Sequence, residues 1–533
     1  MLCTQEKSGK RDWRKYQDEI ERLKRRIDSV QEEFVRNGQH AELLVAQHRH
    51  GEALQLFRSA IQGADEARKE KPDVYSSFHE HMLKTYASTL DHIGDIPAEE
   101  GIFLQLMELY PDGQYLGDYA VFLHRRKRDF AKAQTMYEKA LEAYPEDSSI
   151  HLKYAGFLRH VRRDLEGAEK YYKSAIKANP ENPDALGSYA SYLHGVKGDV
   201  HAAEEKYKKA VEMDSTHANN LCNYGLFLSE EKQDYIRAET YYKTVLEVTP
   251  SHSNTLYNYA VMLDSHCGRR ADAEGLYERA IHVEPRHAFA LYNLAVLKEE
   301  KAMVAEREAM EGTTQGGTKI GKSDGSEPMK QTEKEKLARR KAVCDLYARA
   351  HDADPQDATT AADYGRFLLA RMDRPEDAEP VLLHALQKDP HCVVALYNMA
   401  LLKQRKSLFP DAEKLYATLL AVQPTHSAGT QQMGRNYIDK FKAEGNHEDI
   451  DSAMTCYERA FQLVKDPTAT VLEYLKIVSN MASNKQKIRA IAFIEKYMAR
   501  FGSGSLGREA QIKQVLKGMG KIATKVTTNE EDQ

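Results

Sequence analysis

The fold is decided by residues 256–285, which read LYNYAVMLDSHCGRRADAEGLYERAIHVEP. Apolar residues recur at spacings of three and four on both sides of a polar stretch at 264–270, which is the pattern of two amphipathic helices joined by a short turn. Pro285 marks the end of the second helix, because proline cannot continue a helix. The stretch therefore predicts a helical hairpin.

The same hairpin recurs along the chain with a period of 35 residues. The tyrosine of the first helix is found at Tyr119, Tyr154, Tyr189, Tyr224 and Tyr259. Each is followed by Ala or Gly, then by an alanine in the second helix and a second tyrosine four residues later. The small residues let the two helices approach closely, and the aromatic side chains fill the space between one hairpin and the next. The pattern predicts a one-dimensional array in which stacking buries the core.

The repeat resembles the tetratricopeptide repeat (TPR) family, whose small, aromatic and proline positions correspond here to Leu256, Tyr259, Ala260, Ala273, Tyr277, Ala280 and Pro285. Two features depart from the family pattern: the period is 35 instead of 34, which places an extra residue in the turn within each repeat, and the family's tryptophan is missing. The half-a-TPR (HAT) type is the alternative within the superfamily. The resemblance implies an all-α TPR superhelix protein, a right-handed solenoid of about ten or eleven hairpins.

The organisation along the chain follows from where the repeat is regular. We divide the sequence into an N-terminal heptad helix or coiled coil (1–37), degenerate TPR-like hairpins (38–111), a regular TPR array (112–298), a charged insert (299–341), a second part of the array (342–465) and C-terminal capping helices with a tail (466–533). The insert is expected to hold a helix extended beyond the array, a disordered loop at 312–331 and a returning helix.

The N-terminal segment has a seven-residue repeat of apolar side chains over residues 13–34: Trp13, Tyr16, Ile20, Leu23, Ile27, Val30 and Phe34. This pattern predicts either a coiled coil, formed with a second copy or with a partner, or a single helix that folds back on the first hairpin. Both interpretations remain open, because about three heptads is the lower limit for a stable coiled coil.

Several motifs suggest chemistry that their context does not support. Residues 316–323 fit the Walker A pattern in full, but a phosphate-binding loop must follow a buried strand, and here a charged helix precedes it. We therefore expect no nucleotide. His217, His252 and His287 are one repeat apart, at the place where other repeats carry Asp or Asn, so they are predicted to be helix N-caps and not metal ligands. No catalytic pattern is found, and we predict neither an enzyme nor a cofactor.

Composition narrows the class of partner. With 76 basic and 81 acidic residues the net charge is −5, which disfavours a nucleic-acid partner without excluding one. The run Arg125–Arg128 is interpreted as a solvated turn. The sequence has no run of about 18 consecutive apolar residues, so it predicts no membrane span. The six cysteines are isolated, which favours an intracellular, reducing environment. We expect a cytoplasmic protein; the nucleus and an organelle or cytoskeletal assembly stay open.

The candidate binding residues are polar and aromatic positions of the first helices: Asn223, Asn258, Asn293, Asn398, Tyr257, Tyr292 and Tyr397. On the concave face the asparagines would form a ladder that binds a peptide backbone, and such ladders resemble the groove of the O-GlcNAc transferase superhelix. The alternative is that each amide bonds a neighbouring helix. We predict a non-catalytic scaffold that binds an extended peptide or partner protein in the groove as part of a larger assembly. An RNA-processing scaffold of the half-a-TPR kind and a regulatory subunit are the alternatives.

Overall fold

The computed structural model describes residues 32–47, 49–111, 115–315, 327–464, 468–481, 483–501 and 512–517, and every regular element in these ranges is a helix. The heptads before residue 32, the Walker-like residues 316–323 and the C-terminal tail lie outside the described residues. The chain divides into two compact units, unit 1 at residues 1–269 and unit 2 at residues 270–533. Each unit is an all-α stack of helical hairpins.

Unit 1 contains six hairpins followed by one further helix. Its helices are α1 (Glu33–Ala46), α2 (His50–Glu70), α3 (Pro72–Ile93), α4 (Ile96–Leu109), α5 (Tyr115–Phe122), α6 (Phe130–Ala143), α7 (Ser148–Phe157), α8 (Leu165–Ala178), α9 (Pro183–Tyr192), α10 (Val200–Met213), α11 (Ala218–Glu230), α12 (Tyr235–Val248) and α13 (Ser253–Ser265). Phe34, the last heptad residue, packs edge-on against Tyr75 and Phe78 of α3.

Unit 2 begins with one helix and continues with five hairpins. Its helices are α14 (Arg270–Val283), α15 (Ala288–Gln315), α16 (Glu327–Ala353), α17 (Ala358–Ala370), α18 (Pro375–Lys388), α19 (Val393–Arg405), α20 (Phe409–Val422), α21 (Ser427–Glu444), α22 (Glu448–Leu463), α23 (Thr468–Met481) and α24 (Asn484–Phe501). The helices α15 and α16 flank the centre of the insert and are 28 and 27 residues long. At the C-terminal end, Ile512 and Leu516 are buried against the last hairpins.

The wider period of the repeat is accommodated where the first helix ends. After α5, α7 and α9 the last turn is π-helical, at Leu123–Lys127, Leu158–Arg162 and Leu193–Lys197. The next residue adopts a left-handed conformation, and the residue after it donates its backbone N–H to a carbonyl six residues back, as Asp129 N does to Leu123 O at 3.0 Å. The same closure follows α11 and α13, where Asp234 N donates to Leu228 O and Arg269 N donates to Leu263 O at 2.9 Å without a π turn. The left-handed residue and this bond therefore accommodate the extra residue of each repeat.

The core is formed by the small and aromatic positions of the repeat. Ala120, Ala155 and Ala190 are completely buried, and a Cβ built on the equivalent Gly225 would lie 2.9 Å from the Tyr242 ring. The second-helix tyrosines stack on the tyrosine of the next first helix, for example Tyr137 on Tyr154, Tyr207 on Tyr224 and Tyr242 on Tyr259, with centroids 5.2 to 5.7 Å apart. Each hairpin thus buries its aromatic face against its neighbour.

The histidines at the start of the first helices are N-caps, as the sequence predicts. The Nδ1 atoms of His217, His252 and His287 accept hydrogen bonds from the backbone N–H three residues later, at 3.2 to 3.4 Å. Asp147 and Asn182 cap α7 and α9 in the same way. These imidazoles satisfy an otherwise unpaired helix donor.

A repeated ion pair, here called the glutamate ladder, joins successive hairpins of unit 1. Glu169, Glu204 and Glu239 in the second helices bind a cation at the end of the next first helix: Lys197 at 2.8 Å, Lys232 at 2.8 Å and Arg269 at 3.0 Å. Each also pairs with a lysine one turn later in its own helix. Hydrogen bonds from Lys208 and Lys232 lower the pKa of Glu204 to about 2. Burial alone would raise the pKa of Glu239, but Lys243, Tyr259 and Arg269 lower it to about 2.

Candidate partner-binding face

Equivalent positions of successive first helices in unit 1 lie side by side and form a partly open surface, here called the first-helix face. Lys153 of α7 pairs with Asp118 of α5 at 2.6 Å, and Asn258 of α13 reaches Cys222 of α11. On α7 the surface carries half-buried Gly156, and a Cβ built on this glycine would meet no atom within 4 Å. The face is therefore open at this point of α7.

Two of the predicted asparagines lie on this face. Asn223 and Asn258 are half-buried, and Asn258 donates through Nδ2 to Cys222 Sγ at 3.5 Å, which is a weak bond because thiol sulfur is a poor acceptor. The Asn223 amide forms no hydrogen bond with the residues described. Tyr257 is also half-buried. Both amides thus retain capacity for a ligand.

The structure adds two amides that the sequence analysis missed. Asn219 and Asn254 are exposed and lie one helical turn before Asn223 and Asn258. Asn219 Oδ1 lies 3.0 Å from Nε2 of His252, which leaves the Asn219 amide nitrogen toward solvent. Their spacing of four residues from the predicted positions was the available signal, since residues i and i+4 share a helix face.

In unit 2 the predicted residues are engaged in packing. Asn293 donates to Tyr277 Oη at 3.4 Å, Tyr292 donates to Asp363 Oδ2 at 2.8 Å, and the Tyr397 ring lies 5.5 Å from that of His426. These contacts favour the interpretation in which the side chains bond neighbouring helices.

Asn398 differs from the ladder prediction. It is only 5% exposed, and its Nδ2 donates to Val394 O of its own helix at 2.7 Å. The reason is that the side chain turns back along α19 at a packed position, where a buried amide must find a partner. Its donor is therefore used within the helix and is not presented to a ligand.

Tyr292 belongs to a polar cluster that joins α15, α16 and α17. Arg366 donates to both carboxylate oxygens of Glu299 at 2.9 and 2.7 Å, and its Nε donates to Asp363 at 3.0 Å. Tyr347 also donates to Glu299, at 2.8 Å, and Glu299 is 5% exposed. The bonds to Glu299 raise the pKa of Arg366, so the guanidinium stays charged. The polar groups of the cluster are therefore hydrogen-bonded to one another.

A separate cleft of about 430 Å³ opens between α2 and α4 above the Tyr86 hydroxyl, which accepts from Arg58 Nε at 2.9 Å. None of the predicted site residues lines it; its walls are Arg58, Ile61, Gln62, Asp65, Tyr86, Ala98, Ile102 and Gln105.

Among the helices described, none has both the length and the apolar composition needed to cross a bilayer.

Comparisons with known proteins give matches to the repeat and to repeat-containing folds. Residues 123–163 and 161–218 match the family model described as tetratricopeptide repeat. No curated protein matches the chain. Among solved structures, it is similar to a human IFIT1 dimer with m7Gppp-AAAA, at 14% identity over 72% of this chain and 90% of that chain, with a TM-score of 0.41. It is also similar to YrrB, described as a TPR protein with an unusual peptide-binding site, at 21% identity over 36% of this chain and 96% of that chain, with a TM-score of 0.26. A third similar structure is PilF of Pseudomonas aeruginosa, at 18% identity over 46% of this chain and 94% of that chain, with a TM-score of 0.35.

Proposed function

We propose that this tetratricopeptide-repeat protein is a non-catalytic scaffold that binds an extended segment of a partner protein along the first-helix face of unit 1. The observation that carries the proposal is the placement of Asn223 and Asn258. They occupy equivalent positions of two neighbouring first helices, both are half-buried, and neither amide is held by a strong bond.

The spacing of these amides suits an extended backbone. Packed helices lie about 8 to 10 Å apart, and an extended chain advances about 3.3 Å per residue, so amides on adjacent helices meet every third residue of a peptide. Each amide offers a donor and an acceptor, which can pair with the C=O and N–H of a peptide unit whatever its side chain. The weak bond to Cys222 Sγ is readily exchanged for a peptide carbonyl.

Neighbouring side chains would supply selectivity. Tyr257 adds part of an aromatic ring beside Asn258, and the exposed amides of Asn219 and Asn254 extend the polar surface by one helical turn. Aromatic rings next to hydrogen-bonding groups are typical of peptide-recognition surfaces. The expected ligand is therefore a segment without helical structure.

The test is an affinity pull-down with and without nuclease, followed by dissociation constants for a recovered partner. The double variant Asn223→Ala with Asn258→Ala should weaken binding roughly tenfold or more, since each lost amide contact costs about 0.5 to 1.5 kcal/mol. The matched control is Thr240→Ala with Thr244→Ala, which removes two hydroxyls that bond their own helix α12.

Wild-type affinity in the asparagine variant would move the binding surface elsewhere. Partners that are recovered only without nuclease would favour the RNA-processing scaffold, and co-purification of an enzyme whose activity depends on this chain would favour the regulatory subunit.

A further inference from the structure

Two basic runs, separate in sequence, meet on one edge of unit 1. Residues 125–128 follow α5, and residues 159–163 follow α7. The rings of His124 and Phe157 are 5.4 Å apart, which places the ends of these two first helices side by side. Both turns are π-helical and close with the same backbone bond, from Asp129 to Leu123 and from Asp164 to Leu158, each at 3.0 Å.

The structure separates the paired cations of these runs from the unpaired ones. Arg126 bonds Asp91 at 3.0 Å, and Lys127 bonds Glu100 at 2.9 Å, both toward the preceding hairpin. Arg125, Arg128, Arg162 and Arg163 are exposed and form no ion pair with any residue that the structure describes. We call these four residues the arginine ridge.

Two ridge residues occupy a conformation that does not favour arginine. Arg128 and Arg163 have φ of 56° and 59°; the equivalent place holds glycine at Gly198 and Gly268 and glutamine at Gln233. A side chain with a Cβ is disfavoured there, so arginine costs stability that glycine would not. Attraction to the carboxyl end of a helix favours basic residues in a last turn, and arginine fills the left-handed position in two successive hairpins.

Two of the three carboxylates near the ridge are engaged as helix caps, and the third is exposed. Asp129 and Asp164 cap the following helices through backbone N–H groups at 3.0 and 2.9 Å, and Glu166 is the exposed carboxylate in the first turn of α8. Partial burial, followed by the charges of Arg159 and Arg163, lowers the pKa of the neighbouring His160. The ridge thus presents excess positive charge to solvent.

The length of the ridge limits what can bind it. The next equivalent turn on one side, after α9, offers only Lys197, which is paired with Glu169, and the exposed Glu230 and Glu231 follow one hairpin further on. On the other side, Asp91 at the end of α3 is paired with Arg126. The basic surface therefore spans two hairpins, about 20 Å, which an extended segment of about six residues would cover. A nucleic-acid backbone needs a longer positive track and would meet the glutamates.

We propose that the arginine ridge binds a short acidic segment of a partner protein. The surface is distinct from the first-helix face, and each guanidinium can take a carboxylate in a bidentate pair. Because the arginines project from two rigid turns, the ridge would read the density of negative charge along the segment.

The experiment measures fluorescence anisotropy of labelled octaglutamate with the full chain at low salt. The charge-reversal variant Arg125→Glu with Arg162→Glu should raise the Kd roughly tenfold or more, because ion pairs at exposed sites are individually weak but act together here. The matched control is Lys334→Glu with Lys341→Glu, which makes the same change in net charge at exposed insert lysines.

A second variant separates binding from folding. Arg128→Gly with Arg163→Gly removes two ridge charges and relieves both left-handed arginines, so it should bind octaglutamate more weakly while melting at the same or a higher temperature. The proposal is overturned if wild type does not bind octaglutamate, or if ridge and control variants lose affinity equally. It is also overturned if an RNA of about ten nucleotides binds through these arginines in preference to the peptide.

Discussion

The polar cluster of unit 2 allows a quantitative test of how its helices are held together. The change is Arg366→Met, which removes the guanidinium and keeps an unbranched side chain. Glu299, whose side chain is 7% exposed, would then keep only the hydroxyl of Tyr347 as a partner. Breaking a buried ion pair from one side costs about 3 to 5 kcal/mol. Because the Arg366 side chain is 31% exposed, we expect a smaller cost than this, about 2 to 3 kcal/mol.

The partner change is Glu299→Gln, which removes the charge but keeps an oxygen that can accept from Tyr347. It should cost about 1 kcal/mol, since Arg366 still binds Asp363 and remains partly solvated. The double variant should lose less than the sum, with a coupling of about 1 to 2 kcal/mol, because the second change removes the carboxylate that the first left unpaired. Urea unfolding followed by circular dichroism gives all four free energies. A cost of Arg366→Met below about 0.5 kcal/mol, or strict additivity, would contradict this account of the cluster.

Two further predictions concern buried tyrosines and acid stability. The Tyr242 hydroxyl is buried and makes no hydrogen bond of normal length and angle with any residue that the structure describes, whereas Tyr192 Oη donates to Leu165 O at 2.8 Å. Tyr242→Phe should therefore leave the melting temperature unchanged or raise it, and Tyr192→Phe should cost about 1 kcal/mol. The reverse order in thermal melts would count against the hydrogen-bond assignment. At neutral pH, Glu204→Gln should cost about 1 kcal/mol. Since the folded pKa of Glu204 lies below its ordinary 4.5, its contribution is complete above about pH 4.5, and the difference from wild type should close as the pH falls toward about 2. A difference that stays constant over this range of unfolding measurements would exclude the ion pair as its source.

The repeat made most of the fold predictable from sequence, because a period is visible wherever equal side chains recur. The same periodicity predicted the capping role of His217 and His252, since Asp and Asn occupy their place in other repeats. Periodicity gives the position of a residue on its helix, but it does not show how far a neighbouring helix covers it. For that reason the buried, self-bonded amide of Asn398 looked equivalent to the open amide of Asn223.

The repeat pattern could not predict contacts between residues on the two sides of the insert. Tyr292 bonds Asp363, 71 residues later, because the insert displaces the partner by one additional period. The basic run Arg125–Arg128 looked uniform in sequence. The structure shows that Arg126 pairs with Asp91 of the preceding hairpin, whereas the side chains of Arg125 and Arg128 are exposed.

The glutamate ladder also determines how opening spreads through unit 1. Each rung joins two adjacent hairpins and no others, as Glu204 joins α10 to the end of α11 through Lys232. The free energy of such an array is approximately a sum over individual hairpins and nearest-neighbour junctions. Losing one rung therefore weakens a single junction and leaves the rest of the sum unchanged. Fraying that starts at an end would therefore stop most readily at the weakened junction.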